Sequence, residues 1–208
     1  LCDVLPGYVW LATSAVYYGL SYAAGTIQGS LYLNSLLIGV VELLGVVGAV
    51  PAVDWMGRRR LLAVSMSFAS LCCAFSGITK NMLMQRIAAI VGKLGIAPAF
   101  ALIFLYTSEM HPTSVRSQAV GVCSTAARVG SLSAPAIIAL GRASEALPFI
   151  VFGVLGSVAC FTGLTFPETK GAPMANTIEE QLTLRRNAYE ALGEEKESRK
   201  LLANEESS

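Results

Sequence analysis

Residues 31–79 read LYLNSLLIGVVELLGVVGAVPAVDWMGRRRLLAVSMSFASLCCAFSGIT. Two apolar runs, Leu31 to Val53 and Leu61 to Thr79, flank one charged knot, Asp54-Trp55-Met56-Gly57-Arg58-Arg59-Arg60. A helix needs roughly 20 apolar residues to cross a bilayer. Hydrocarbon offers no partner for an unpaired backbone group, so continuous runs of this length predict membrane-spanning helices. A β-barrel would instead show short segments of alternating hydrophobicity. Outward from this pair the pattern recurs in Gly7 to Ala24, Gln85 to Thr107, Ser117 to Leu140 and Leu147 to Phe166. The reading is an all-α membrane protein with six transmembrane helices.

Composition agrees. The 208 residues are 54% hydrophobic and 14% charged, against about 25% charge in a soluble domain. Polar surface is scarce before about residue 167 and crowds into the tail. A net charge of +1 without a basic stripe argues against a nucleic-acid partner. The five cysteines, Cys2, Cys72, Cys73, Cys123 and Cys160, lack metal-ligand spacing. No nucleophile stands beside a base, and no glycine-rich phosphate loop is present, so neither an enzyme, a cofactor nor a metal is expected. The opening Leu1-Cys2-Asp3 has no basic region of a cleavable signal. Leu1 rather than Met opens the sequence, and the expectation is a segment of a larger protein.

Small residues inside the spans, such as Gly45, Gly48, Gly92, Gly95, Gly153 and Gly156, let helix backbones approach where lipid supplies no hydrophobic drive. Pro51, Pro98 and Pro135 remove backbone donors and favour kinks.

Orientation follows Lys and Arg in short loops. Arg58, Arg59, Arg60, Arg116 and Lys170 fall on one side; Lys80, Arg86 and Arg142 fall on the other. The larger cluster places both termini in the cytoplasm.

Two loops on that side carry matched charges. The first is Asp54-Trp55-Met56-Gly57-Arg58-Arg59; the second is Glu109-Met110-His111-Pro112-Thr113-Ser114-Val115-Arg116. Glu109 sits near a helix C-terminus, where the dipole disfavours an anion. An Arg from the neighbouring loop would offset it, and Asp54 has Arg116 and Arg59 within the same face. Asp54, Gly57, Arg58, Arg59, Glu109 and Arg116 are therefore the candidate cytoplasmic gate, a set of pairs able to bias a two-state element. A third motif, Pro167-Glu168-Thr169-Lys170-Gly171, ends the last span and turns the chain.

These signatures resemble the second six-helix half of the major facilitator superfamily. The strings Ser30-Leu31-Tyr32-Leu33-Asn34, Val41-Glu42-Leu43, Tyr106-Thr107-Ser108-Glu109 and Ser124-Thr125-Ala126-Ala127-Arg128-Val129-Gly130-Ser131 resemble solute carrier family 22. The resemblance covers about residues 8 to 180. It implies the C-terminal half of a twelve-helix fold, carrying organic cations, carnitine-like zwitterions or organic anions across the plasma membrane. The N-terminal half would then be a necessary partner, with the lipid bilayer and a small organic ion as the others. One departure is Val50, where the superfamily loop often has Gly four residues before the Asp.

Three charges fall inside the spans, Glu42, Lys93 and Arg128. Charges at membrane depth are costly and mark function by default. The resemblance implies an acidic residue at position 128 in cation-selective members and Arg in anion and zwitterion carriers. A guanidinium holds a carboxylate bidentately, so Arg128 is the candidate for a substrate carboxylate, with Lys93 as a second. Glu42 either neutralises one of them or faces the cationic end of a zwitterion. Val46 fills the place of a second basic residue of some anion carriers, which tilts the reading to zwitterions and monoanions. Tyr18 and Tyr22, one turn apart, are candidates for a cation-binding aromatic face. Tyr8, Trp10 and Tyr32 read as interfacial aromatics.

The division expected is 1–171 as the six-helix half and 172–208 as a cytoplasmic tail. Asn176 or Thr177 with Glu180 reads as an N-cap or capping box for a tail helix from about Ile178 to Leu192, followed by disorder. Two rival functions stay open. A sugar porter of the same superfamily would normally show paired glutamines in the first span, and only Gln28, beyond it, is present. A truncated half that regulates full-length carriers without transport is the other.

Overall fold

The computed structural model describes residues 4–25, 31–79, 81–142, 144, 146–166, 168–169, 179–180 and 183. Among them the long elements are six helices and no strand occurs. In chain order they are α1 Val4–Gly25, α2 Leu31–Met56, α3 Arg58–Ile78, α4 Met82–Met110, α5 Arg116–Ala139 and α6 Leu147–Leu164. A single 3-10 turn, Leu140–Arg142, follows α5.

The helix ends are set locally. Asn81 caps α4, its side chain accepting from the Leu83 amide at 3.0 Å. Pro148 stands in the first turn of α6, where its missing donor has no helical partner to lose. Gly57 breaks the chain between α2 and α3 with φ 85° and ψ 162°. That region of backbone space is essentially restricted to glycine.

Five helices are long and apolar enough to cross a membrane: Asn34–Met56, Arg58–Ile78, Leu83–Met110, Arg116–Arg142 and Leu147–Leu164. α1 also has a spanning length, 22 residues, but Thr13, Ser14, Tyr17, Tyr18, Ser21 and Tyr22 dilute its hydropathy. The first expected span, Gly7 to Ala24, is therefore not among these five helices. α1 packs against α5, α4 and α6, and Thr13 and Ser14 are buried.

α3 packs on both α4 and α6, and α2 leans chiefly on α4. The main core joins Val16 and Leu20 of α1, Leu62 and Met66 of α3, Ile96 of α4 and Phe152 of α6. Between α3 and α6 small polar groups pair directly: Ser70 Oγ donates to the Gly153 carbonyl at 2.6 Å and meets Ser157 Oγ at 2.6 Å. Such hydrogen bonds replace the hydrophobic drive that lipid withholds. At the α1–α5 crossing a Cβ on Gly130 would stand 2.2 Å from the Leu11 carbonyl oxygen, so only glycine permits this approach. α2, by contrast, leaves Leu36, Leu37, Val40, Leu43, Leu44 and Val47 exposed.

The expected boundary at 171/172 and most of the expected tail helix lie outside the described residues. Glu179, Glu180 and Thr183 are helical.

Candidate functional site

The two charges near the middle of α2 and α4 meet at α1. Lys93 is 1% exposed. A buried ammonium must be paired and hydrogen-bonded to be tolerated. Its Nζ donates to Ser21 Oγ at 2.6 Å, lies 3.6 Å from Glu42 Oε2 and sits 3.1 Å from the centroid of the Tyr17 ring. The ring's quadrupole attracts the cation. The Tyr17 hydroxyl donates to Glu42 Oε1, and Ser21 Oγ donates to the Tyr17 carbonyl at 2.8 Å. The Glu42 side chain remains 35% exposed. The cluster is neutral as a pair of formal charges, closed around its cation and open at its anion.

An aromatic file continues from it along the α1–α4 interface. Phe100 stacks on Tyr17 with centroids 4.8 Å apart. Phe104 follows at 5.7 Å from Phe100, and Trp10 lies 4.3 Å from Phe104. Trp10 Nε1 donates to Thr107 Oγ1 at 2.9 Å. Trp10 is 1% exposed, and its indole finds its polar partner inside the bundle.

Of the expected site residues, Glu42 and Lys93 come together. Arg128 does not join them. It is exposed on α5, and among the described residues its side chain makes no hydrogen bond or ion pair. Tyr18 and Tyr22 are 39% and 49% exposed on α1, with Tyr18 edge-on to Tyr17 at 5.2 Å. Tyr17, Ser21 and Phe100 were not singled out from sequence. A signal existed: Thr13, Tyr17 and Ser21 recur at four-residue spacing and form one polar stripe on α1.

The second assembly gathers the charged loops. Three arginines at the start of α3 face a helix dipole that disfavours cations, and Glu109 near the end of α4 faces the converse. Arg58 Nε donates to Glu109 Oε1 at 3.2 Å, so each offsets the other. Thr169 Oγ1 donates to Glu109 Oε2 at 2.6 Å. Glu168 accepts from the Arg58 and Arg59 amides at 3.0 Å and 3.5 Å, acting as a remote N-cap for α3. Gly57 is buried against that carboxylate. Arg59 therefore enters through its backbone. Arg116 opens α5, and Asp54 is exposed two residues before the end of α2. Glu168 and Thr169 were read from sequence only as part of a turn; their contacts with Arg58 and Glu109 span 110 and 60 residues, which no local pattern encodes.

His111 closes α4, its Nδ1 donating to the Thr107 carbonyl at 2.9 Å. It lines a cavity of about 380 Å³ with Pro6, Val115, Gln118, Val122 and Cys123. Among the described residues no three His, Cys, Asp or Glu side chains converge as a metal site would require.

Residues 13–180 match the family model described as sugar (and other) transporter. Solute carrier family 22 member 15-like of Xenopus laevis is 38% identical over 199 residues, covering 91% of this chain and 39% of that protein. Organic cation/carnitine transporter 2 of Mus musculus is 33% identical over 179 residues, covering 85% and 32%. Solute carrier family 22 member 3 of Rattus norvegicus is 30% identical over 206 residues, covering 98% and 37%. The chain thus spans between about a third and two fifths of the length of these relatives. With five apolar helices of spanning length, it is a multi-pass membrane protein of the sugar (and other) transporter family in the major facilitator superfamily, and its relatives lie in solute carrier family 22.

Proposed function

We propose that the chain forms one wall of an alternating-access carrier for small organic ions, and most specifically for zwitterions or anions of the carnitine type. The observation that carries this reading is the Glu42–Lys93–Tyr17 cluster near mid-helix: a charge pair at membrane depth whose carboxylate stays open. Carriers of this architecture hold substrate near the midplane between two halves. Glu42 would face the cationic end of a substrate. Arg128, exposed and without an ion pair among the described residues, would face a carboxylate. The name of the mouse relative, an organic cation/carnitine transporter, supports the substrate class.

The second wall is a further six-helix half. The bare apolar side of α2 supports a neighbour or lipid there. The Arg58–Glu109–Thr169 and Gly57–Glu168 contacts form a latch on the side of the arginine-rich loops. Breaking and re-forming them would bias the carrier between its two access states. The positive-inside rule supports a cytoplasmic place for that side and for both termini, and the names of the relatives, organic-ion carriers among them, support the plasma membrane.

The test is uptake of labelled carnitine by cells producing the whole carrier, with a quaternary amine, a monocarboxylate and a hexose as competitors. Carnitine uptake blocked by the first two and indifferent to hexose supports the reading. Blockade by hexose alone, at millimolar concentration, overturns it in favour of a sugar porter.

A further inference from the structure

We infer that Lys93 is a tethered counter-cation: it occupies Glu42 when the carrier is empty and gives way when the cationic group of a substrate arrives. The inference rests on the carrier reading above and deepens it.

The ammonium has three N–H directions, and the structure supplies three partners. These are Ser21 Oγ at 2.6 Å, the Tyr17 ring at 3.1 Å and Glu42 Oε2 at 3.6 Å. With 1% of the residue exposed, no donor is left for a ligand. Lys93 is therefore the occupant of the site and not its open hand. Glu42 differs: its side chain is 35% exposed and its Oε1 already accepts from Tyr17. The contact to Lys93 is also the longest of the three. Ser21 and Tyr17 hold the ammonium when the carboxylate turns to a substrate, so the lysine need not be left unpaired during the exchange.

The consequence is electrostatic. An anion alone at membrane depth is costly to carry through a conformational change. With Lys93 in place the empty Glu42–Lys93 pair crosses without net charge, and on loading the ammonium's charge rests on Ser21 Oγ and the Tyr17 ring. Without it, only a site loaded with a cation is neutral. Removal of Lys93 should spare exchange, in which every crossing is loaded, and impair net uptake, in which the empty carrier must return.

Tetraethylammonium, a permanent cation with no carboxylate, is the probe, applied to cells producing the whole carrier. In Lys93→Met, net uptake is expected to fall about tenfold relative to exchange, with KM for the probe lowered because its competitor is gone. In Lys93→Arg, net uptake relative to exchange stays as in the wild type and KM rises, because a guanidinium grips a carboxylate bidentately. Equal loss of exchange and net uptake in Lys93→Met, or no change in either, overturns the inference. If Lys93→Met does not reach the membrane, an unchanged KM in Lys93→Arg overturns it alone. Absence of any organic-ion uptake by the wild-type carrier overturns the carrier reading itself, and this inference with it.

Discussion

Replacing Gly57 with alanine puts two costs on the same spot. The backbone there holds φ 85° and ψ 162°, a region essentially closed to other residues at about 1–3 kcal/mol. The added Cβ would stand 2.9 Å from Glu168 Oε2 and 3.0 Å from its Cδ. The carboxylate must withdraw and release the Arg58 and Arg59 amides it now caps at 3.0 Å and 3.5 Å. Loss of an N-cap adds about 1 kcal/mol. Together the change amounts to roughly 2–4 kcal/mol. It falls on the junction that ties the start of α3 to the segment after α6. The assay is thermal unfolding of the purified carrier, paired with uptake normalised to surface protein. Gly57→Ala should melt clearly below the wild type and transport less. Glu168→Gln keeps an acceptor oxygen and should lose only the charge–dipole part, about 0.3–1 kcal/mol. Gly39→Ala is the control, since nothing lies within 4 Å of the Cβ it would add. If Gly57→Ala melts with the wild type, the account of the latch is wrong.

Further perturbations probe the other joints. Gly130→Val forces a side chain into the Leu11 carbonyl at the α1–α5 crossing. It should cost at least about 1–3 kcal/mol and cut surface expression, whereas Gly121→Ala, which meets nothing within 4 Å, should not. Thr107→Val leaves the buried Trp10 indole without the acceptor now at 2.9 Å. A loss of about 1–3 kcal/mol is expected, read as a lower melting temperature. An Arg58→Ala and Glu109→Ala double-mutant cycle should return a coupling of about 0.5–3 kcal/mol; additive losses would mean that the 3.2 Å pair contributes nothing.

The fold was legible because hydropathy and loop charge are local. Runs such as Leu31 to Val53 and knots such as Asp54 to Arg60 locate helices and turns without knowledge of their neighbours. Gly7 to Ala24 reads as a span from sequence, but α1 is not among the five helices apolar enough to cross, and its packing against α4, α5 and α6 accommodates buried Thr13 and Ser14. The site was half legible. Glu42 and Lys93 announce themselves, since charges in apolar runs are rare. Tyr17 against Tyr18 was not decidable from adjacent positions on one helix. Which of the two faces α2 and α4 depends on how α1 is rotated, and tertiary packing sets that. The chosen pair, Tyr18 and Tyr22, lies on the exposed side. An Arg of the neighbouring loop was legible as a partner for Glu109, because the dipole at each helix end calls for the opposite charge; that it is Arg58 comes from the fold. Glu168 and Thr169 join that pair only through the return of the chain after α6.

The central claim is that the open carboxylate of Glu42, braced by Tyr17 and Lys93, receives the cationic end of an organic ion. Glu42→Gln tests it most directly, by uptake kinetics of a quaternary ammonium zwitterion at matched surface expression. The account predicts a rise in KM of about tenfold or more, equivalent to about 1.4 kcal/mol of binding. An unchanged KM, with the variant folded and at the membrane, would contradict it.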